Sequence, residues 1–160
     1  MLADERKKLI DQYRAGYAAV SEALLKITPE ELEFTPGPGK WSARDIIHHL
    51  ADSEMTAAVR LRFLLAQDRP TIQGYDQDEF ARRLYYDRPH EASLELFRVA
   101  RQSTAEILDR LTPAEWIREG MHTEAGPYGV EAWLKTYSEH AHKHARQIRV
   151  AREAATNPGR

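Results

Sequence analysis

Cysteine is absent from the 160 residues of this chain. That absence excludes disulfides, thiolate-bound zinc and a cysteine nucleophile together. No run of 18 apolar residues occurs either, so nothing in the sequence reads as a membrane span. An excess of one charge is also missing. Lys and Arg number 23 against 25 Asp and Glu, for a formal net charge of −2. Nucleic-acid binders carry a basic excess, so the balance argues against that class. The opening stretch, MLADERKKLIDQY, is charged and amphipathic rather than secretory, and the expected location is the cytoplasm. What remains is 42% apolar and 30% charged, a globular composition sized for one domain. That domain is expected over residues 1–155, with 156–160 a flexible tail. Without thiols, a tight transition-metal site must be built from histidine and carboxylates. Seven histidines are available.

Periodicity predicts four long helices. The first runs from about Ala3 to Ile27, with Leu9, Tyr13, Tyr17, Val20, Leu24 and Ile27 on one stripe. Thr28-Pro29-Glu30-Glu31 opens a short turn, and Thr35-Pro36-Gly37-Pro38-Gly39 is loop. Ser42 caps a second helix that runs to about Ala66, where Gln67-Asp68-Arg69-Pro70 stops it. Residues 67–89 form a long crossover with a short helix near Asp78 to Leu84. The third helix spans about His90 to Arg110, with Leu94, Phe97, Ala100, Ile107 and Leu108 inward. Thr112-Pro113-Ala114-Glu115-Trp116 echoes Thr28-Pro29-Glu30-Glu31-Leu32, which suggests two related helical hairpins. A turn or small hairpin around Gly126-Pro127 precedes the fourth helix, about Gly129 to Ala154. The predicted fold is all-α, a four-helix bundle with one long crossover between its second and third helices.

At about 100° per residue, His140 and His144 of the fourth helix share a face with Trp133, Tyr137, Ala141, Ile148 and Ala151. Gln147 returns to that inward side, and His142 projects to solvent. On the second helix the apolar arc is Ile46, Ile47, Leu50, Leu61, Leu64 and Leu65. His49 lies at the edge of that arc, near Asp45, Asp52, Ser53, Thr56 and Arg60, whereas His48 points nearly opposite. Three imidazoles from two helices, His49, His140 and His144, suit one divalent metal with a coordination position left open. Zinc fits this pattern best and nickel also suits imidazole. The His-x-x-x-His spacing lacks the Glu of a zincin protease. A satisfied polar core would give the same spacing. His48, His90, His122 and His142 read as surface or loop residues.

Three segments together resemble a known family. Lys40 to Glu54 (KWSARDIIHHLADSE) resembles the second-helix signature of the DinB/YfiT-like superfamily, in particular its YfiT-type, bacillithiol transferase-like branch of metal-dependent hydrolases. Pro70 to Asp78 (PTIQGYDQD) matches that branch's crossover, and His140 to Ile148 (HAHKHARQI) its last-helix motif. The likeness covers about residues 25–150. It implies up-down-down-up topology, a homodimer, and one divalent metal per chain held by His49, His140 and His144. Lys143 and Gln147 stand where family members often carry further histidines.

The resemblance also implies a chemistry, in which a small-molecule thiol such as bacillithiol is transferred onto a small electrophile. The thiol would be a cosubstrate, because the chain has none. Asp52 is then expected to support the site as a catalytic group, and Arg60, Tyr75 and Asp78 to contact substrate. Three other readings use the same residues: hydrolysis by an ionised water, thiol-dependent isomerisation, and a non-catalytic metal-binding stress-response bundle. No nucleic-acid or membrane partner is expected.

Overall fold

The computed structural model describes residues 1–156. Its elements are α1 (Ala3–Ala23), α2 (Pro29–Glu33), α3 (Ala43–Ala66), β1 (Thr71–Ile72), α4 (Gln77–Arg83), α5 (Glu91–Leu108), α6 (Pro113–Trp116), β2 (Glu119–His122), β3 (Gly126–Gly129) and α7 (Val130–Thr156). The predicted frayed tail lies outside the described residues, apart from Thr156, which closes α7.

Local chemistry sets the helix starts. The Ser42 side chain and the Asp45 side chain satisfy each other's backbone N–H groups, at 3.1 and 2.9 Å. Thr28 and Glu31 repeat the arrangement at α2, and the Thr112 N–H bonds the Glu115 carboxylate at α6. The first helix ends at Ala23, short of the predicted Ile27, where the chain reverses through Lys26 at φ 56°. Leu24 and Ile27 still pack on the core, so the apolar period outlasts the helix that was read from it.

Contacts fix the helix directions. The Met1 amino group meets Glu131 at one end of the α1–α7 pair, and Arg152 reaches the Ala23 carbonyl at the other, so these helices are parallel. His48 meets Ser93 and Arg62 meets Ser103, which makes α3 and α5 parallel. Trp133 donates to the Ala57 carbonyl while His140 meets His49, so α3 and α7 are antiparallel. The result is an up-down-down-up four-helix bundle.

The two long connections form a small sheet of order β1-β2-β3. The β2–β3 hairpin was anticipated as a turn near Gly126. The parallel pairing of Thr71 with Met121 was not, because two residues show no alternation to read. Gly120 permits the approach: a Cβ there would lie 2.3 Å from the Pro70 carbonyl oxygen.

Two apolar clusters fill the bundle, one around Trp133, Leu61 and Leu64, the other around Phe97, Ile46 and Ile148. A polar clasp ties all four long helices together. Arg101 of α5 is 2% exposed and pairs with Glu54 of α3, itself 1% exposed. The Tyr13 hydroxyl donates to Glu54, and Arg101 donates to the carbonyls of Tyr13 (2.7 Å) and Tyr137 (2.6 Å). Such a pair adds little net stability, but removing one partner strands a buried charge.

Candidate metal centre

α3 carries His49 into the bundle, and α7 carries His140 and His144 one turn apart. Their Nε2 atoms converge. His140 Nε2 lies 3.3 Å from that of His49 and 3.2 Å from that of His144. The three candidate ligand atoms all lie within 4.8 Å of one another, and among the described residues no carboxylate joins them. Tetrahedral zinc with bonds of about 2.0–2.1 Å holds its nitrogens about 3.3 Å apart, so the two short separations fit.

The rings cannot satisfy one another. A neutral imidazole nitrogen either donates one hydrogen or accepts with one lone pair, so His140 Nε2 can make only one of its two contacts a good hydrogen bond. Charging the rings is no remedy. Burial pushes the pKa of His49 down to about 3, His140 to about 2 and His144 to about 4. The charge of His144 adds to the effect at His49 and His140. Three neutral nitrogens that share one point and lack enough hydrogens are what a cation complements.

Metal-bound imidazoles usually donate their second nitrogen to an acceptor. Here Nδ1 of His49 and of His144 is buried without a hydrogen-bond partner. Packing orients these rings instead. The Trp41 ring lies 4.6 Å from that of His49 and stacks at 16° on that of His144, 6.4 Å away.

Asp52 is 6% exposed and stays outside the nitrogen cluster. Its Oδ2 accepts from the Tyr86 hydroxyl at 2.8 Å. Burial, reinforced by Asp52, raises the Tyr86 pKa and keeps that phenol protonated. Arg60 and Tyr75 come together: the guanidinium lies 5.6 Å from the centre of the Tyr75 ring. Arg60 also donates to the Tyr137 hydroxyl (3.2 Å) and the Gln73 carbonyl (2.6 Å), and Tyr137 stands edge-on to His140 at 5.9 Å. Asp78 is exposed in the first turn of α4, and its N–H donates to the Asp76 side chain rather than joining this group.

Several histidines depart from their expected places. His48 is fully buried, not surface; Nε2 faces the Arg88 carbonyl, so that nitrogen donates, and Nδ1 accepts from Ser93. His122 is 9% exposed, and its Nδ1 accepts from the N–H groups of Glu124 and Ala125. His142 is half-buried against α1, bonded to the Gln12 carbonyl rather than pointing free to solvent. Gln147 is exposed, yet its side chain lies close enough to His144 to favour that ring's charged form by hydrogen bonding. The residue reading missed Trp41, Tyr86 and Tyr137 as site neighbours. Tyr137 was legible one turn before His140, on the face the histidines share.

Residues 12–148 match the DinB superfamily. A relative in Oceanobacillus iheyensis, named as a metal-dependent hydrolase, is 30% identical over 129 residues, 81% of this chain and 75% of that protein. One in Geobacillus thermodenitrificans with the same name is 28% identical over 156 residues, covering 94% and 86%. Among solved structures, YfiT of Bacillus subtilis superposes with a TM-score of 0.90 over 98% of this chain and 90% of that one, at 23% identity. The chain is therefore a member of the DinB superfamily, folded as a YfiT-like four-helix bundle.

Proposed function

We propose that the protein is a metal-dependent enzyme in which His49, His140 and His144 hold one divalent cation, zinc or nickel, and that it transfers a small thiol onto an electrophile. The convergence of three Nε2 atoms with no fourth protein ligand among the described residues carries this reading. A closed, four-ligand site would indicate a structural role; three ligands leave room for an exogenous one. A cation there supplies Lewis acidity, which favours the thiolate over the thiol at neutral pH. The chain holds no thiol of its own, so the nucleophile comes from solution. The reading places the protein in the cytoplasm, where small thiols stay reduced.

The other roles belong to this chain's side chains. Tyr86 engages Asp52 Oδ2, which leaves Oδ1 to take the proton of an incoming nucleophile. Tyr137 and Trp41 wall the histidines on two sides, and Arg60 with Tyr75 stands next to that wall as the substrate contact. Asp78 would contribute only to a substrate large enough to reach α4. The family resemblance adds a homodimer to this proposal, which light scattering tests.

Hydrolysis is the second reading, favoured by the names of the relatives. One experiment separates the two. Zinc-loaded and chelated protein are each given an activated ester or alkyl halide, with and without a cellular thiol. Thiol-dependent conjugate formed only by loaded protein supports transfer, and thiol-independent hydrolysis supports the alternative. Equal turnover in loaded and chelated protein would reject both.

A further inference from the structure

Two arginines of the bundle differ sharply in their surroundings. Arg101 is fully matched by Glu54. Arg60 is not: its acceptors are a neutral hydroxyl and a neutral carbonyl, and its Nε is buried with no partner. Among the described residues no carboxylate pairs with it. Arg60 is half-buried, and a guanidinium held partly out of water with its Nε unmatched favours an anionic partner. An aromatic face at 5.6 Å, from Tyr75, compensates only partly.

Position gives the unmatched charge a use. Arg60 stands about three turns beyond His49 on nearly the same face of α3. Helical side chains lean toward the N-terminus, so it reaches back toward the histidines. Tyr137 bridges the gap, with its hydroxyl on Arg60 and its ring edge against His140. The β2–β3 hairpin closes the same corner. His122 feels the Arg60 charge, and its ring lies 5.5 Å from that of Tyr128. Because Nδ1 of His122 accepts from two backbone N–H groups, its hydrogen sits on Nε2, where it is a donor. The corner thus offers a guanidinium, a phenol and an imidazole N–H; carboxylates lie near it, Glu124 beside His122 and Asp52 beside Tyr75, but among the described residues neither forms an ion pair with Arg60.

We infer that Arg60, supported by Tyr137 and His122, is a carboxylate-binding subsite that fixes one end of the substrate while its reacting end lies at the three histidines. This deepens the functional reading above and rests on it. The ligand class is a small organic acid whose carboxylate is separated from its reactive sulfur or electrophilic carbon by about the length of a tyrosine side chain. Such a spacing excludes binding of both groups to one cation.

The test compares 6-mercaptohexanoate with 6-mercaptohexan-1-ol, which match in length and sulfur and differ in the acid. Zinc stoichiometry is measured first, on wild type and Arg60→Gln. Binding of each thiol to the zinc-loaded proteins is then followed by calorimetry. The acid is expected to bind wild type at least ten-fold more tightly than the alcohol, and Arg60→Gln to bring that ratio close to one with zinc stoichiometry intact. Arg60→Lys, which keeps the charge and loses the fork, should recover part of the ratio. Equal affinities for wild type, or a ratio that survives Arg60→Gln, would overturn the subsite while leaving the metal reading standing. Failure of wild type to take zinc would overturn both. If the Gln variant does not fold, Arg60→Lys is compared instead, and equal wild-type affinities overturn the subsite in either case.

Discussion

His140 is the hinge of the site, since its Nε2 faces both other rings. Replacing it with alanine should lower zinc affinity at least 100-fold with helical circular dichroism retained, as read by competition with a chromophoric chelator. Asp52→Asn should keep zinc and lose turnover by about 10²–10⁴-fold, the usual range for a lost proton acceptor. The buried rings also set a pH dependence. Their folded pKa values lie below 6.5, so below that pH the unfolded chain binds more protons than the folded one. In EDTA, stability should be present above pH 6.5 and fall as the pH drops toward 4. His144→Gln should show a shallower loss in thermal melts; an identical slope would contradict the account. At this scale the sequence was partly readable. His140 and His144 fall on an inward arc shared with Trp133 and Tyr137, and His49 at the edge of the apolar arc of Ile46 and Leu50, so helical period brings all three forward. His48 and Arg101 were not readable, because a buried polar residue is written like a solvated one. Their partners, Ser93 and Glu54, lie 45 and 47 residues away.

Among elements, the α1–α7 contact is the tightest to argue. A Cβ on Gly16 would lie 2.7 Å from the Ala141 Cβ and 3.0 Å from the Arg101 guanidinium. Gly16→Ala should therefore destabilise by about 1–3 kcal/mol despite its better helix propensity, measured as a lower denaturant midpoint. The long helices announced themselves through caps such as Ser42-Asp45 and through their apolar stripes. The sheet did not. β1 is two residues long, and its only reason to be extended is a partner strand some fifty residues later. That partner, with Gly120 at the contact, is a tertiary fact that no local pattern encodes.

For the whole molecule, the Arg101 clasp joins α1, α3, α5 and α7 in one network. Arg101→Ala should cost about 3–5 kcal/mol by stranding Glu54, and adding Glu54→Gln should recover part of it in a double-mutant comparison of chemical denaturation. Helix order along the chain was visible, but helix direction was not. A crossover as long as 67–89 can return the chain either way, so up-down-down-up rested on the family likeness until contacts such as Trp133 to Ala57 fixed it. The central claim, that three imidazoles from α3 and α7 grip one ion, is tested most directly by anomalous scattering from crystals grown with zinc. The account predicts one strong peak per chain about 2.0–2.1 Å from Nε2 of His49, His140 and His144. A zinc-soaked crystal with no peak among those three nitrogens would contradict it.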